Sequence, residues 1–198
     1  MKLVALALGM VGVSAHAMWT EDAYGNTIHP SLTHVSIVKK DSKKLAKPKP
    51  KTPVQISDRD IVAIGKPIAG QTQKDISCLS YSIFREAGTL PVADQYAVGQ
   101  VHINRLATGT WGNHLCQVVM AKSQFSWTKE KIVVWSQNQK QIAEKIATNL
   151  VNVGFRVRQL DSDKILHYHA DYVHPKWAQS GQVVAMAGPH IFYRDIAH

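Results

Sequence analysis

A lysine- and proline-rich stretch near the N-terminus limits where this chain can build a hydrophobic core. Seven lysines lie between residues 39 and 51, interrupted by Asp41, Pro48 and Pro50. A charged run broken by prolines cannot bury apolar surface, so residues 39–54 are expected to form an extended tether. The predicted organisation is therefore an N-terminal segment and linker over 18–57, followed by one folded domain over 58–198.

The distribution of charge also bears on the partners of the chain. The formal net charge is +9, yet residues 52–198 carry 15 Lys and Arg against 11 Asp and Glu. Most of the positive charge therefore belongs to the tether and not to a folded face, and a nucleic-acid-binding surface is not expected. The tether is predicted to be mainly a solvated linker, with weak and salt-dependent contact to anionic polymers or a membrane surface as the alternative.

The first 17 residues have the pattern of an export signal. Lys2 precedes an apolar run from Leu3 to Val13, and Ala15-His16-Ala17 resembles a cleavage site. The apolar run is short for a membrane span, although a retained anchor is the alternative to cleavage. The sequence thus predicts export to the periplasm, the cell envelope or the medium.

Export changes the interpretation of the two cysteines, Cys78 and Cys116. In an oxidising compartment an isolated pair favours a disulfide, which would stabilise the fold by roughly 3–4 kcal/mol in the chain-entropy model. Two buried free thiols are the alternative.

Apolar periodicity predicts helices in the first part of the domain and strands in the last. Ile76, Leu79 and Ile83 share one helix face, with Asp75 as the expected N-cap and Gly88 as the stop. The helices are predicted at 75–87, 93–106, 113–120 and 136–152. Alternation of β-branched and aromatic residues predicts strands at 167–173, 182–187 and 190–194, the last two joined by a turn. The expected fold class is α+β, with a small antiparallel sheet in the C-terminal part.

One acidic residue, Glu86, stands out at the end of the first predicted helix, between Phe84 and Gly88. A carboxyl group in an apolar, partly closed site has a raised pKa and is suited to general acid catalysis, whereas a solvent-facing helix carboxylate is the alternative. Later blocks supply amide and aromatic groups that suit hydrogen bonding and stacking on sugars, or else core packing. These candidate substrate-binding residues are Asn104, Gln124, Phe125, Trp127, Tyr168, His169 and Tyr193.

Five blocks in order resemble the SleB/CwlJ-type cell wall hydrolases, the family of spore-cortex-lytic enzymes. The blocks lie within roughly residues 75–194. They are Cys78–Gly88, Ala97–Arg105, Leu115–Val119 with Gln124–Thr128, His167–Val173 with Pro175 and Trp177-Ala178, and Gly188–Arg194. Glu86 matches the position of the family's catalytic glutamate. The family usually reads Glu-Ala-Arg-Gly-Glu there, so Gly88 and Leu90 replace an arginine and a second acid.

The resemblance implies a lysozyme-like domain that cleaves the MurNAc–GlcNAc bond of peptidoglycan in the manner of a lytic transglycosylase. Such an enzyme needs one carboxylate, because the C6 hydroxyl of the muramic acid replaces water as the nucleophile and leaves 1,6-anhydro ends. Asp171 is the best candidate for a second acid outside the matched motifs. The implied enzyme is a monomer that acts on glycan strands without a cofactor, and it could be a bacterial remodelling enzyme or a phage endolysin.

Two other functions remain open from the residues. His167 and His169 lie on one strand face, and a third histidine would make a metal-dependent amidase or peptidase conceivable, although no HExxH motif is present and no metal is expected. The candidates for the third ligand are His114, His174 and His190. The altered loop after Glu86 also leaves room for a peptidoglycan-binding module without activity.

Overall fold

The computed structural model describes residues 52–122, 124–131, 133–194 and 196. The predicted signal peptide and nearly all of the tether lie outside these residues. The described residues belong to one compact unit, Lys49–His198. No helix within the described ranges is long and apolar enough to cross a membrane.

Four α-helices form the first layer of the domain. They are α1 (Gln73–Ala87), α2 (Val92–Thr108), α3 (Leu115–Val119) and α4 (Gln137–Thr148), and α4 continues into a π-helical turn (Asn149–Val153). Each predicted helix is present, with ends displaced by a few residues. Short 3₁₀ helices occupy Asp58–Asp60, Ser126–Lys129, Arg158–Leu160 and Lys176–Gln179.

Six strands complete the described fold. They are β1 (Val54–Gln55), β2 (Ile61–Ala63), β3 (Phe155–Val157), β4 (Ile165–Ala170), β5 (Gln182–Ala187) and β6 (His190–Arg194). The predicted antiparallel sheet is present as β5-β6-β4. Two short pairings were not predicted: β1 joins β5 in parallel, and β2 pairs with β3 as a separate ribbon. The parallel pairing begins at Val54, ahead of residue 58.

The start of α1 differs from the expected cap. Thr72 is the N-cap, its hydroxyl accepting from the Asp75 N–H at 3.2 Å, while the Asp75 carboxylate accepts from the Thr72 N–H at 2.9 Å. Asp75 is therefore the reciprocal partner of a capping box and not the cap itself. Its other oxygen accepts from the Cys116 N–H at 3.1 Å, so it also ties α1 to α3. Ser136 caps α4 as predicted.

The core lies where α1, α2 and α4 meet. Leu79, Ile83, Val101 and Leu150 are fully buried there. Gly99 on α2 permits this close packing, because a Cβ at that position would lie 2.6 Å from a Leu150 methyl group and 3.0 Å from one of Ile83. This packing fixes α1, which carries Glu86, and α2, which carries Arg105, so that both residues lie at helix ends that face the sheet.

Candidate active site

Glu86 lies in the last turn of α1 and accepts hydrogen bonds from two other elements. Nε1 of Trp127 donates to Oε1 at 2.5 Å, and the hydroxyl of Tyr168 donates to Oε2 at 3.2 Å. Trp127 belongs to the 3₁₀ helix Ser126–Lys129, and Tyr168 belongs to β4. Two segments that lie far from Glu86 in the sequence therefore fix both oxygens of its carboxyl group.

The surroundings of this carboxyl group favour its protonated form. Burial raises the pKa of Glu86 above its ordinary value, and it outweighs the opposing effect of the bonds from Trp127 and Tyr168 and of the positive charges of Arg85 and Arg105. Burial, followed by the negative charge of Glu86, raises the pKa of Tyr168 well above its usual range, so this phenol stays a neutral donor. A buried acid with a raised pKa is the group that general acid catalysis requires.

Glu86 opens onto a cleft of about 490 Å³. This cleft, called the acid cleft below, brings together six of the predicted site residues. They are Glu86, Gln124, Phe125, Trp127, Tyr168 and His169. The aromatic and amide blocks identified in the sequence therefore converge on the predicted acid.

The two aromatic residues of the 124–128 block are largely enclosed by other side chains. Phe125 and Trp127 are 9% and 7% exposed, and their rings stack on each other at 5.4 Å between centroids. Tyr81 packs edge-on against Trp127, and His102 stacks on Phe125. The structure thus gives Trp127 a clear part as hydrogen-bond donor to Glu86, while the predicted stacking on sugar faces remains a prediction.

Two predicted site residues do not line the acid cleft. The amide of Asn104 donates to the carbonyls of Leu160 and Ile165 at 2.8 and 2.9 Å and accepts from Gln100 at 2.8 Å. It therefore joins α2 to the β4 region and does not face the cleft. Tyr193 lies behind His169, with a hydroxyl-to-Nε2 hydrogen bond of 2.8 Å.

The acid cleft also contains residues that were not among the predicted catalytic and substrate-binding residues. They are Arg85, Arg105, Ser126, Glu130, Tyr172 and His190. Arg85 donates to Glu130 at 2.6 Å, and the Glu130 side chain is 54% exposed. Glu130 is thus a second carboxylate at the cleft, in place of the suspected Asp171. Arg105 ends the Ala97–Arg105 block, and its charge in an apolar helix was the one feature of the sequence that pointed to it.

The predicted disulfide is present between Cys78 on α1 and Cys116 on α3. It closes a loop of 38 residues and fixes α3 against the helix that carries Glu86. Because residues 124–127 follow α3 closely, the covalent link also limits movement of the segment that binds Glu86.

The histidines suspected as metal ligands have other contacts. The rings of His167 and His169 lie on the same strand face, and both contact Trp177, at 5.4 and 5.5 Å between centroids. Within residues 52–122, 124–131, 133–194 and 196, no three His, Cys, Asp or Glu side chains come close enough together to hold a metal ion.

Comparison with solved structures supports the fold. The catalytic domain of Bacillus anthracis SleB, described as a germination-specific lytic transglycosylase, is 22% identical with a TM-score of 0.52, over 64% of this chain and 98% of that one. The catalytic domain of Bacillus cereus SleB is 20% identical with a TM-score of 0.49, over 65% and 95% of the two chains. No curated protein sequence matches the chain.

A family model described as Cell Wall Hydrolase matches residues 90–193, which is more than half of the chain. The match includes α2, the Trp127 segment, β4, β5 and all but the last residue of β6, and it begins four residues after Glu86. The chain therefore belongs to the Cell Wall Hydrolase family.

Proposed function

We propose that this protein cleaves the MurNAc–GlcNAc bond of peptidoglycan as a lytic transglycosylase, with Glu86 as acid and then as base. The observation that supports this most directly is the half-buried Glu86 carboxyl group, which has a raised pKa, lines a cleft and is held there by Trp127 and Tyr168. Membership of the Cell Wall Hydrolase family supports the wall as substrate. The description of the similar B. anthracis domain supports the reaction type.

The proposed reaction uses one carboxyl group twice, first as acid and then as base. Glu86 donates its proton to the glycosidic oxygen as the bond from C1 of the muramic acid to that oxygen breaks, and the glucosamine leaves with a free 4-hydroxyl group. The C6 hydroxyl of the same muramic acid then attacks C1 and gives its proton to the Glu86 carboxylate. The 1,6-anhydro ring closes and the acid is restored, so no water is consumed.

Glu130 provides the main alternative within the same cleft. A hydrolytic glycosidase needs a second carboxylate to act as nucleophile or to activate water. Glu130 is exposed, and its carboxylate is engaged in an ion pair with Arg85. We therefore assign catalysis to Glu86 alone, with Glu130 as the residue that hydrolysis would require.

Export forms part of the proposal, since peptidoglycan lies outside the cytoplasm. The disulfide supports an oxidising compartment, where such bonds form and persist. In this proposal the first 17 residues direct export, residues 18–57 form the N-terminal segment and the linker that contains the tether, and residues 58–198 form the catalytic domain. The active protein is proposed to be a monomer without a cofactor.

Glu86→Gln tests the assignment of the acid. The amide keeps the shape of the side chain but cannot deliver a proton, so cleavage of purified sacculi should fall by about 10²–10⁴-fold while the thermal unfolding curve stays cooperative. Glu144→Gln is a matched control, because Glu144 is an exposed carboxylate on α4. Near-normal cleavage by the Glu86→Gln protein would show that another group is the acid.

Mass spectrometry of the released glycan ends tests the reaction type. An anhydro end is one water lighter than a reducing end, and the proposal requires anhydro ends. If only reducing ends are found and Glu130→Gln also abolishes cleavage, the enzyme is a hydrolase that uses both carboxylates.

A further inference from the structure

Arg105 is a buried cation in the acid cleft whose hydrogen-bonding capacity is only partly used. The residue is 4% exposed, and its Nε donates to the carbonyl of Leu166 at 2.8 Å. Among the residues that the structure describes, its Nη1 is buried and has no hydrogen-bond partner. A buried guanidinium nitrogen without a partner carries a large free-energy cost, so an acceptor supplied by a ligand would be strongly favoured there.

The guanidinium group is also held in a fixed orientation. Besides the bond to Leu166, its central carbon lies 5.4 Å from the Trp111 ring centroid and 5.7 Å from that of Phe125. Burial lowers the pKa of Arg105, but guanidinium groups titrate so far above neutrality that the charge is retained. A rigid, charged and planar donor is suited to a carboxylate.

The other charges of the cleft do not neutralise Arg105. Arg85 is paired with Glu130, and burial lowers the pKa of His190 to about 4, so His190 is neutral at neutral pH. With Glu86 protonated, as the proposed acid must be, the residues that line the cleft carry one net positive charge, from Arg105, while the negative charge of Asp171 acts on His190 from outside the lining. Within the described residues, Nδ1 of the buried His190 and Nη1 of Arg85 also lack hydrogen-bond partners, so three polar atoms of residues that line the cleft are unpaired.

We propose that Arg105, together with His190, forms an anion subsite of the acid cleft that binds a carboxylate carried by the muramic acid of the substrate. This inference rests on the proposed function, and it adds that the enzyme recognises the acidic substituent as well as the glycan. The carboxylate belongs either to a free lactyl group or to the peptide attached to it, and the experiment below separates these sources.

Binding at this subsite would also act on the acid. The charge of Arg105 opposes the protonation of Glu86. A bound carboxylate offsets that charge, so the protonated form of Glu86 becomes more favourable when the correct substrate is in place. Recognition and proton donation are thereby coupled through one arginine.

The test measures binding to the Glu86→Gln protein, which does not turn over the ligand. Isothermal titration calorimetry compares GlcNAc–MurNAc tetrasaccharides whose lactyl groups are free carboxylates, neutral methylamides, or amide-linked to a dipeptide with a free carboxylate. One anionic form should bind about 10-fold or more tightly than the methylamide, since a hydrogen bond to a charged group is lost in the neutral form. The form that binds more tightly identifies the source of the carboxylate.

Adding Arg105→Met should reduce this preference to within about twofold, while Arg105→Lys should keep part of it because the charge remains. Arg59→Met is the control, since Arg59 is an exposed arginine outside the cleft. If the Arg105→Met protein fails to fold, the affinities of the Arg105 and Arg105→Lys proteins for the three ligands still test the anion subsite.

Equal affinity for charged and neutral ligands would overturn the anion subsite and leave the proposed function standing. A preference that survives Arg105→Met would place the subsite elsewhere. No binding of any of the tetrasaccharides, together with no cleavage of sacculi by the parent protein, would overturn the proposed function itself.

Discussion

The acid cleft and a second recess on the other side of α2 each contain a buried arginine, and the two arginines differ in their partners. The second recess, called the Arg156 groove, has a volume of about 590 Å³ and is lined in part by Asn104, Arg156 and Asp161. Arg156 donates to the carbonyls of Leu150 and Phe155, both at 2.7 Å, and lies 3.9 Å from Asp161. Arg105 donates to one carbonyl and keeps a buried nitrogen without a described partner.

The comparison shows that the size of a recess does not identify the reactive site. In the Arg156 groove, the large polar side chains are engaged by backbone carbonyls and so hold the fold together. In the smaller acid cleft, a protonatable carboxyl group and incompletely bonded donors lie side by side. Among the described residues, three buried polar atoms without a hydrogen-bond partner belong to the lining of the acid cleft, on Arg85, Arg105 and His190, and none belongs to the lining of the Arg156 groove.

The largest effect expected from this comparison is on stability. Arg156→Met should lower the free energy of unfolding by about 3 kcal/mol, because it leaves two buried carbonyls without their donor. Arg105→Met should lower it by about 1 kcal/mol or less, since one bond is lost but an unpaired donor is removed with it. Urea denaturation of both proteins measures the difference, and equal losses would make Arg105 a structural residue like Arg156.

A smaller effect is expected when a donor to Glu86 is removed. Trp127→Phe keeps an aromatic ring in the cluster but lacks the N–H that donates to Oε1, so cleavage should fall by about 10-fold. Because that bond opposes protonation of Glu86, its loss raises the pKa of the acid further, and the decline of activity at high pH should move upward. A pH–rate profile measures both the rate of cleavage and the pH at which activity declines. An unchanged profile would mean that Trp127 contributes packing alone. Trp135→Phe is a control on an aromatic residue that packs against Phe84 outside the acid cleft.

The smallest effect concerns the pH dependence of stability. Burial raises the pKa of Glu86 in the folded state above its unfolded value. Below the unfolded pKa, Glu86 is protonated in both states and does not alter the free energy of unfolding. The free energy of unfolding falls as the pH rises through the folded pKa. The Glu86→Gln protein lacks this loss, so it should unfold at a higher temperature than the parent at pH 7 and at a similar one near pH 3. The Asp161→Asn protein, changed in the Arg156 groove, should show no such gain in unfolding temperature at pH 7. A gain in that protein would mean that the two regions do not differ in this property.

Local signals were sufficient for most of the secondary structure. Ser136 predicted the start of α4, and the alternation around Gly188 predicted β5 and β6 with their correct bounds. The cap of α1 was misplaced, because Thr72 and Asp75 are both good caps in isolation and only the folded chain shows which one precedes the first helical turn. The strands β1, β2 and β3 were missed since each has at most three residues, too few for a period to be visible.

The sequence by itself determined the fold class, the pairing of the only two cysteines and the identity of the candidate acid, since each depends on residue type and order. Only the tertiary structure decided which neighbours meet that acid. Asn104 and Arg105 are adjacent in the sequence, yet the helical turn of about 100° between them sends one amide to the carbonyls of Leu160 and Ile165 and the other side chain into the acid cleft. Likewise, Glu130 reaches the cleft through an ion pair with Arg85, 45 residues away. Such contacts depend on long-range packing, which local patterns do not specify.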